Sequence, residues 1–242
     1  MKVQQLAYTN GKTKFLGHLA WDDTAQGARP GIVVFPEAFG LGDHARERAN
    51  RLAQAGYVAL AADLHGDGFV HKDLASVSPA IQALYTDRAA WRSVATAALE
   101  ALTAQPLVDL RRIGAIGFCF GGTTCLELAR TGAAVGAIAT FHAGLNAGLP
   151  EDAGRIRSKV LICHGAEDPL VKREAIDAFM QEMRREQVDW QFVYHGNAVH
   201  SFTEPSADQR GMPAFAYNKN AEARSWAAML HLFDETFGSP QP

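Results

Sequence analysis

Short apolar runs alternate with stretches of helical spacing along most of this chain. Gly31-Ile32-Val33-Val34-Phe35 is continuous enough to be a strand covered on both faces, and Pro36 ends it because proline cannot donate to a sheet ladder. Tyr57 to Ala61, the run up to Phe118, Val135 to Phe141 and Lys159 to Cys163 repeat the strand pattern, and Trp190 to Tyr194 alternates like a last strand. Between these runs, Ala45, Ala49, Leu52 and Ala53 recur at helical spacing before Gly56. So do Trp91, Val94, Ala95, Ala98, Leu99 and Leu102 after a capping Asp87, with Pro106 ending the stripe. Leu126 and Ala129-Arg130 continue helically to Gly132. Ala175, Ile176, Phe179, Met180 and Met183 form a further stripe, and Trp226, Met229, Leu230, Phe233 and Phe237 make a closing helix stopped by Gly238.

Three stretches stand apart from this alternation. Asn10-Gly11 is a two-residue turn signal for a hairpin over Leu6 to Trp21, expected to decorate an edge. From Asp63 to Tyr85 the periodicity lapses, with Gly66, Gly68 and Pro79 interrupting it, which predicts a long loop with room for a short helix, of the kind that covers active sites. Ser201 to Asn220 is polar and proline-bearing. The whole predicts one α/β domain over 1–242, a mostly parallel sheet with helices on both faces and a ligand crevice beyond the strand C-termini.

Composition narrows the function class. The chain is 48% hydrophobic and 20% charged with a formal charge of -3, and has no basic block, so neither nucleic acid nor an anionic membrane surface is an expected partner. Met1 to Gln5 lacks a signal-peptide core and no apolar run approaches a membrane span. Three cysteines, Cys119, Cys125 and Cys163, form neither an even framework nor a C-x-x-C pair, which points to a reducing, cytoplasmic setting. No paired Cys or His spacing predicts a metal, and Gly114-Ala115-Ile116-Gly117 does not reproduce a dinucleotide fingerprint.

The chemistry gathers at strand ends. Cys119 sits where a strand gives way to a helix, with Gly117, Gly121 and Gly122 about it, the context of a nucleophile elbow. A lone cysteine beside a glycine turn is more often a core residue, but the glycines on both sides favour the elbow. At a helix N-terminus, unpaired N–H groups favour thiolate over thiol. Glu37, His142, Asp168 and His200 also follow predicted strands, and Cys119, Asp168, His200 run in the nucleophile, acid, histidine order of the α/β-hydrolase fold. Acyl transfer needs a nucleophile, a histidine base and a group to orient that base, and these three residues match the need. Oxyanion donors would be the backbone N–H groups of Phe120 and Ala38. Glu167 competes with Asp168 and His195 with His200, while His142 reads equally as a pocket or a surface residue. His164 is expected to brace the Asp168 turn, and Cys125 and Cys163 to be core. Among the aromatics, Phe39 and Tyr217 are the candidates for substrate contact.

Gly117-Phe118-Cys119-Phe120-Gly121-Gly122, Phe35-Pro36-Glu37-Ala38-Phe39-Gly40, His164-Gly165-Ala166-Glu167-Asp168 and His200-Ser201-Phe202 together resemble the dienelactone hydrolase family over nearly the whole chain. The resemblance implies an α/β-hydrolase fold, no cofactor, a Cys119–His200–Asp168 triad and hydrolysis of small lactones or activated esters through a thioester. It also selects Asp168 by the HG-x-x-D spacing and His200 by the Ser-Phe that follows, and implies that Glu37 helps convert the thiol to thiolate. In one respect the chain departs from the family: an arginine shortly after the histidine holds a substrate carboxylate there, and Glu204 stands here instead. Arg88, Lys219 and Arg224 are the candidate replacement cations, and a broader ester or lactone substrate is expected. The alternative from another class is a non-catalytic, redox-responsive binding protein using a reactive Cys119.

Overall fold

The computed structural model describes residues 1–238, so 239–242 of the expected domain lie outside the described residues. Eight strands form one sheet in the order β1-β2-β4-β3-β5-β6-β7-β8. They are β1 (Lys2–Thr9), β2 (Lys14–Trp21), β3 (Arg29–Phe35), β4 (Val58–Ala61), β5 (Val108–Phe118), β6 (Ala137–Phe141), β7 (Lys159–Gly165) and β8 (Trp190–His195). From β4 to β8 all neighbours are parallel, while β2 joins β4 antiparallel and β1 joins β2 antiparallel. The central strands β3, β4 and β6 are buried along their whole length, as expected of continuous apolar runs sandwiched between helices.

Helices α1 (Asp43–Gln54) and α6 (Lys219–Phe237) cover one face of the sheet. Helices α3 (Arg88–Thr103), α4 (Phe120–Arg130) and α5 (Arg173–Arg185) cover the other. Ala45, Ala49, Leu52 and Ala53 of α1 meet Trp226, Met229 and Phe233 of α6 in one core layer. Trp91, Leu102, Leu126 and Phe179 belong to the opposite layer. Among the described residues no helix is long and apolar enough to cross a membrane.

Two local expectations change. The β1–β2 register pairs Thr9 with Lys14, so residues 10–13 make the connection rather than Asn10-Gly11 alone. Asn10 Oδ1 accepts the N–H groups of Lys12 and Thr13, which closes a longer Asx-type turn that the dipeptide signal did not anticipate. The stretch from Asp63 to Tyr85 is no simple loop, because a 13-residue helix, α2 (Leu74–Thr86), occupies its second half. Asp73 caps it by accepting the Ser76 N–H, and Val77 is its one buried residue. A helix with one buried position has no apolar stripe to betray it, and Pro79 masks it further. The first half is organised by buried Asp63, whose carboxylate accepts the N–H groups of Leu16, His65, Gly66 and Gly68.

Candidate active site

The end of β5 and the start of α4 meet at Cys119, which adopts φ 53° and ψ -118°. A positive φ is costly for a residue with a Cβ and persists only where its surroundings enforce it. Glycine supplies the room. A Cβ on Gly117 would lie 2.1 Å from the Gly121 carbonyl oxygen, and one on Gly121 would lie 2.3 Å from that of Phe35. The turn therefore brings β5, α4 and the end of β3 closer than any side chain would allow. Cys119 is half-buried, whereas Cys125 and Cys163 are buried, and burial pushes both of their thiols up.

His200 arrives on the loop after β8. That loop is fixed by main-chain bonds from His200 N–H to the Ala214 carbonyl and from Ala216 N–H back to His200. The ring Nδ1–H donates to Asp168 Oδ2 at 2.8 Å, and Asp168 Oδ1 accepts the Leu170 N–H at 2.9 Å. Asp168 is buried at the turn after β7, while its neighbour Glu167 is exposed. Nε2 of His200 is buried with no hydrogen-bond partner among the described residues, although the ring feels the Cys119 sulfur. Burial opposes protonation of His200, but the Cys119 charge and the Asp168 hydrogen bond outweigh it and raise the imidazole to about 10. His195 plays a main-chain part, its carbonyl accepting the Ala166 N–H.

His142 is fully buried, not a surface residue. It follows β6 at φ 42° and stands 5.1 Å from the His200 ring, centroid to centroid. Burial, then the neighbouring His200 and His44, push its pKa well below the ordinary histidine range. His164 packs edge-on against Phe192 and Tyr194.

Glu37 follows β3 and is buried, with Oε1 2.5 Å from Nδ1 of His44 at the start of α1. Burial opposes its ionisation, yet the His44 charge and contact, with a contribution from Arg210, hold the carboxyl below its usual range. His44 is raised in turn, Glu37 outweighing the effect of burial. The backbone N–H groups of Ala38 and Phe120 have no hydrogen-bond partner among the described residues. The Ala38 carbonyl accepts from His65 Nε2 at 2.7 Å, and burial keeps His65 below its ordinary pKa.

A cavity of about 450 Å³ adjoins this cluster, walled by Phe39, Leu74, Met212, Phe215 and Arg210. Phe215 connects it to the cluster, lying edge-on to His200 with ring centroids 5.5 Å apart. Leu74 and Met212 remain exposed at the rim, which gives the mouth an apolar character. Tyr85 of α2 lies near Cys119, whose charge adds to burial in raising the phenol. Tyr217 points elsewhere: its hydroxyl donates to Glu222 Oε2 at 2.6 Å and it is not part of the cavity wall. Phe118 and Phe141 stack on each other in the core, and Phe120 stacks on Trp91.

Among the cations weighed from sequence, Arg88 is committed to Glu127 and the Ala147 carbonyl, and Lys219 and Arg224 lie on exposed positions of α6. Of the two cations that line the cavity, Lys72 and Arg210, the one over Phe215 is Arg210, which sequence reasoning passed over. It lies ten residues past His200 in a stretch without periodicity, and its one sequence-level signal is Glu204 nearby with the opposite charge.

The dienelactone hydrolase family model matches residues 16–237. The solved structure named m3DLH is 64% identical, covers 98% of each chain and superposes with a TM-score of 0.96. A dienelactone hydrolase-like promiscuous phosphotriesterase from metagenomic libraries is 60% identical over 98% of this chain and 99% of its own, again with a TM-score of 0.96. The "Probable 2-oxo-3-(5-oxofuran-2-ylidene)propanoate lactonase" of Bradyrhizobium sp is 28% identical over 90% of this chain and 88% of its own length. With its α/β-hydrolase sheet and strand-end cluster, this chain belongs to the dienelactone hydrolase family and is a hydrolase of that family.

Proposed function

We propose that the protein hydrolyses small carboxylic esters and lactones through a thioester on Cys119. The observation that carries this reading is the pairing of a positive-φ elbow cysteine with a buried His200, whose Nδ1 is engaged by Asp168 and whose Nε2 has no partner of its own. The thiolate attacks the carbonyl carbon and forms the C–S bond. The oxyanion is met by the N–H groups of Phe120, at the N-terminus of α4, and Ala38. The C–O bond then breaks as His200 Nε2–H protonates the departing oxygen. Water completes the cycle: His200 takes its proton, the hydroxyl adds to the thioester carbon, and the C–S bond breaks to release acid and thiolate. In this scheme Glu37 helps convert a neutral Cys119 thiol to the thiolate before the first attack. Catalysis needs no cofactor in this scheme.

The apolar rim of Leu74 and Met212 and the aromatic walls of Phe39 and Phe215 favour a small, largely apolar acyl or leaving group. Phosphotriesters are a second class of substrate, favoured by the relative at 60% identity, with the thiolate attacking phosphorus instead of carbon. The redox-responsive binding protein is the weaker reading, because a sensor thiolate has no need of the Asp168–His200 pair. Hydrolysis of p-nitrophenyl acetate, simple lactones and a dienelactone by the parent, Cys119→Ala and His200→Gln proteins tests the proposal. Turnover by the parent that falls roughly a thousandfold or more in both variants is the expected result. Equal turnover by Cys119→Ala would overturn it.

A further inference from the structure

Arg210 brings a positive charge to the cavity wall, and the structure cancels it there. The guanidinium lies over the rings of Phe39 and Phe215, 5.5 and 5.4 Å from their centroids. One terminal nitrogen donates to Glu204 Oε2 at 2.5 Å and the other to Ser201 Oγ at 3.1 Å. Glu204 is equally committed, since its Oε1 accepts the Ser206 hydroxyl at 2.9 Å and its main chain is held by Ser201 and Ala207 in a tight turn. Its side chain is 13% exposed and that of Arg210 24%, so the pair is screened less than a surface ion pair. The other charges nearby are Lys72 and Asp73 on the cavity wall, buried Glu37, whose carboxylate also feels Arg210, and His44, which feels Glu204.

From this geometry we infer that Glu204 is a specificity-determining residue: by masking Arg210 it makes the cavity select uncharged acyl groups over anionic ones. The inference rests on the ester-hydrolase reading above and adds a residue to it. An anionic substrate reaching the phenylalanine-lined wall must compete with a carboxylate already in place and bear repulsion from it. A neutral substrate of the same shape uses the flat apolar faces of Phe39 and Phe215 with no such penalty. Removing the charge of Glu204 leaves Arg210 oriented by Ser201 and by the two rings, with donors free for a carboxylate or a phosphate oxyanion.

Two near-isosteric esters read this directly, p-nitrophenyl butyrate and mono-p-nitrophenyl succinate, which differ in a terminal methyl against a carboxylate. In Glu204→Gln, and in Glu204→Ala as a second variant, kcat/KM for the succinate relative to the butyrate should rise roughly tenfold to a hundredfold over the parent. Adding Arg210→Met should return the ratio to near the parent value. A ratio within about twofold of the parent in both Glu204 variants, with folding intact by thermal melting, would overturn the inference, as would a gain that survives Arg210→Met. Alkylation of Cys119 supplies a readout independent of turnover. The rate with iodoacetate relative to iodoacetamide should rise in the same variants and fall again with Arg210→Met. If the parent turns over neither ester, the hydrolase reading fails, while the alkylation ratio still decides whether Glu204 masks Arg210.

Discussion

The main-chain N–H of Cys119 donates to Nδ1 of His142 at 3.1 Å, and the same N–H also meets the Phe141 carbonyl at 3.0 Å. Because Nδ1 accepts, the ring proton sits on Nε2, which donates to Thr203 Oγ1 at 2.8 Å. His142 thereby ties the elbow of β5 to the loop that carries His200, and so fixes the distance between Cys119 and His200. Its low pKa keeps it neutral next to a protonated His200. Asparagine can place an acceptor near the Nδ1 position and tolerates the φ of 42°, whereas leucine does neither. His142→Leu should cost about 2–4 kcal/mol in urea unfolding and lower kcat more than it raises KM, and His142→Asn should recover most of both.

His200 makes stability depend on pH with a defined sign. Its folded pKa of about 10 lies above the ordinary 6.5, so protonation favours the folded state. That contribution is complete below pH 6.5 and is lost as pH rises through about 10. Unfolding free energies of the parent from urea titrations should decline across this window, by an amount on the order of a few kcal/mol at most. His200→Gln should flatten the decline. Because the Cys119 charge is the leading upward influence, Cys119→Ala should remove most of it too. A slope that persists in both variants would place its origin elsewhere in the chain.

Glu37 and His44 form a second buried pair, with the far nitrogen of His44 donating to the Thr203 carbonyl at 3.0 Å. The depressed Glu37 carboxyl contributes stability above pH 4.5 that fades as pH falls through its lower folded value. The raised His44 contributes below pH 6.5 and fades as pH climbs past it. Replacing His44 by Phe strands a buried carboxylate and should cost about 3–5 kcal/mol in urea unfolding, with the acid limb of the stability profile shifted upward. Glu37→Gln in the same background should restore a substantial part of that loss. A double variant as unstable as His44→Phe alone would contradict the pairing.

The strands were legible because β3, β6, β7 and the second half of β5, 113–118, are buried on both faces and therefore read as apolar runs. The positions of Cys119, Asp168 and His200 at strand ends followed from the same pattern. Helix α2 was illegible for the converse reason: Val77 is its one buried side chain, so exposure erases the stripe. Arg210, His44 and Thr203 act through contacts between loops distant in sequence. Arg210 reaches Phe39 from the other end of the chain, and His44 reaches the Thr203 carbonyl, 159 residues away. No periodicity or local spacing encodes such contacts. His142 was undecided from sequence because burial of a histidine depends on what closes over it, here Phe202 and Thr203 from the loop after β8.

The elbow itself depends on the missing Cβ atoms of its glycines, Gly117 first among them. At Gly117 an added Cβ would stand 2.1 Å from the Gly121 oxygen and 2.7 Å from the Gly122 nitrogen, both backbone atoms of α4 that cannot rotate aside. Relieving the clash would push α4 away from β5 and take Cys119 and the Phe120 N–H with it. Gly117→Ala should therefore cost several kcal/mol, on the order of 3 or more, and lower the thermal midpoint steeply. Gly196 serves as the control, since nothing lies within 4 Å of a Cβ built there. Gly196→Ala should leave both the midpoint and ester turnover within about 0.5 kcal/mol of the parent. If Gly117→Ala melts with the parent and keeps its turnover, the close approach of β5 and α4 is not what holds the cysteine in its strained conformation.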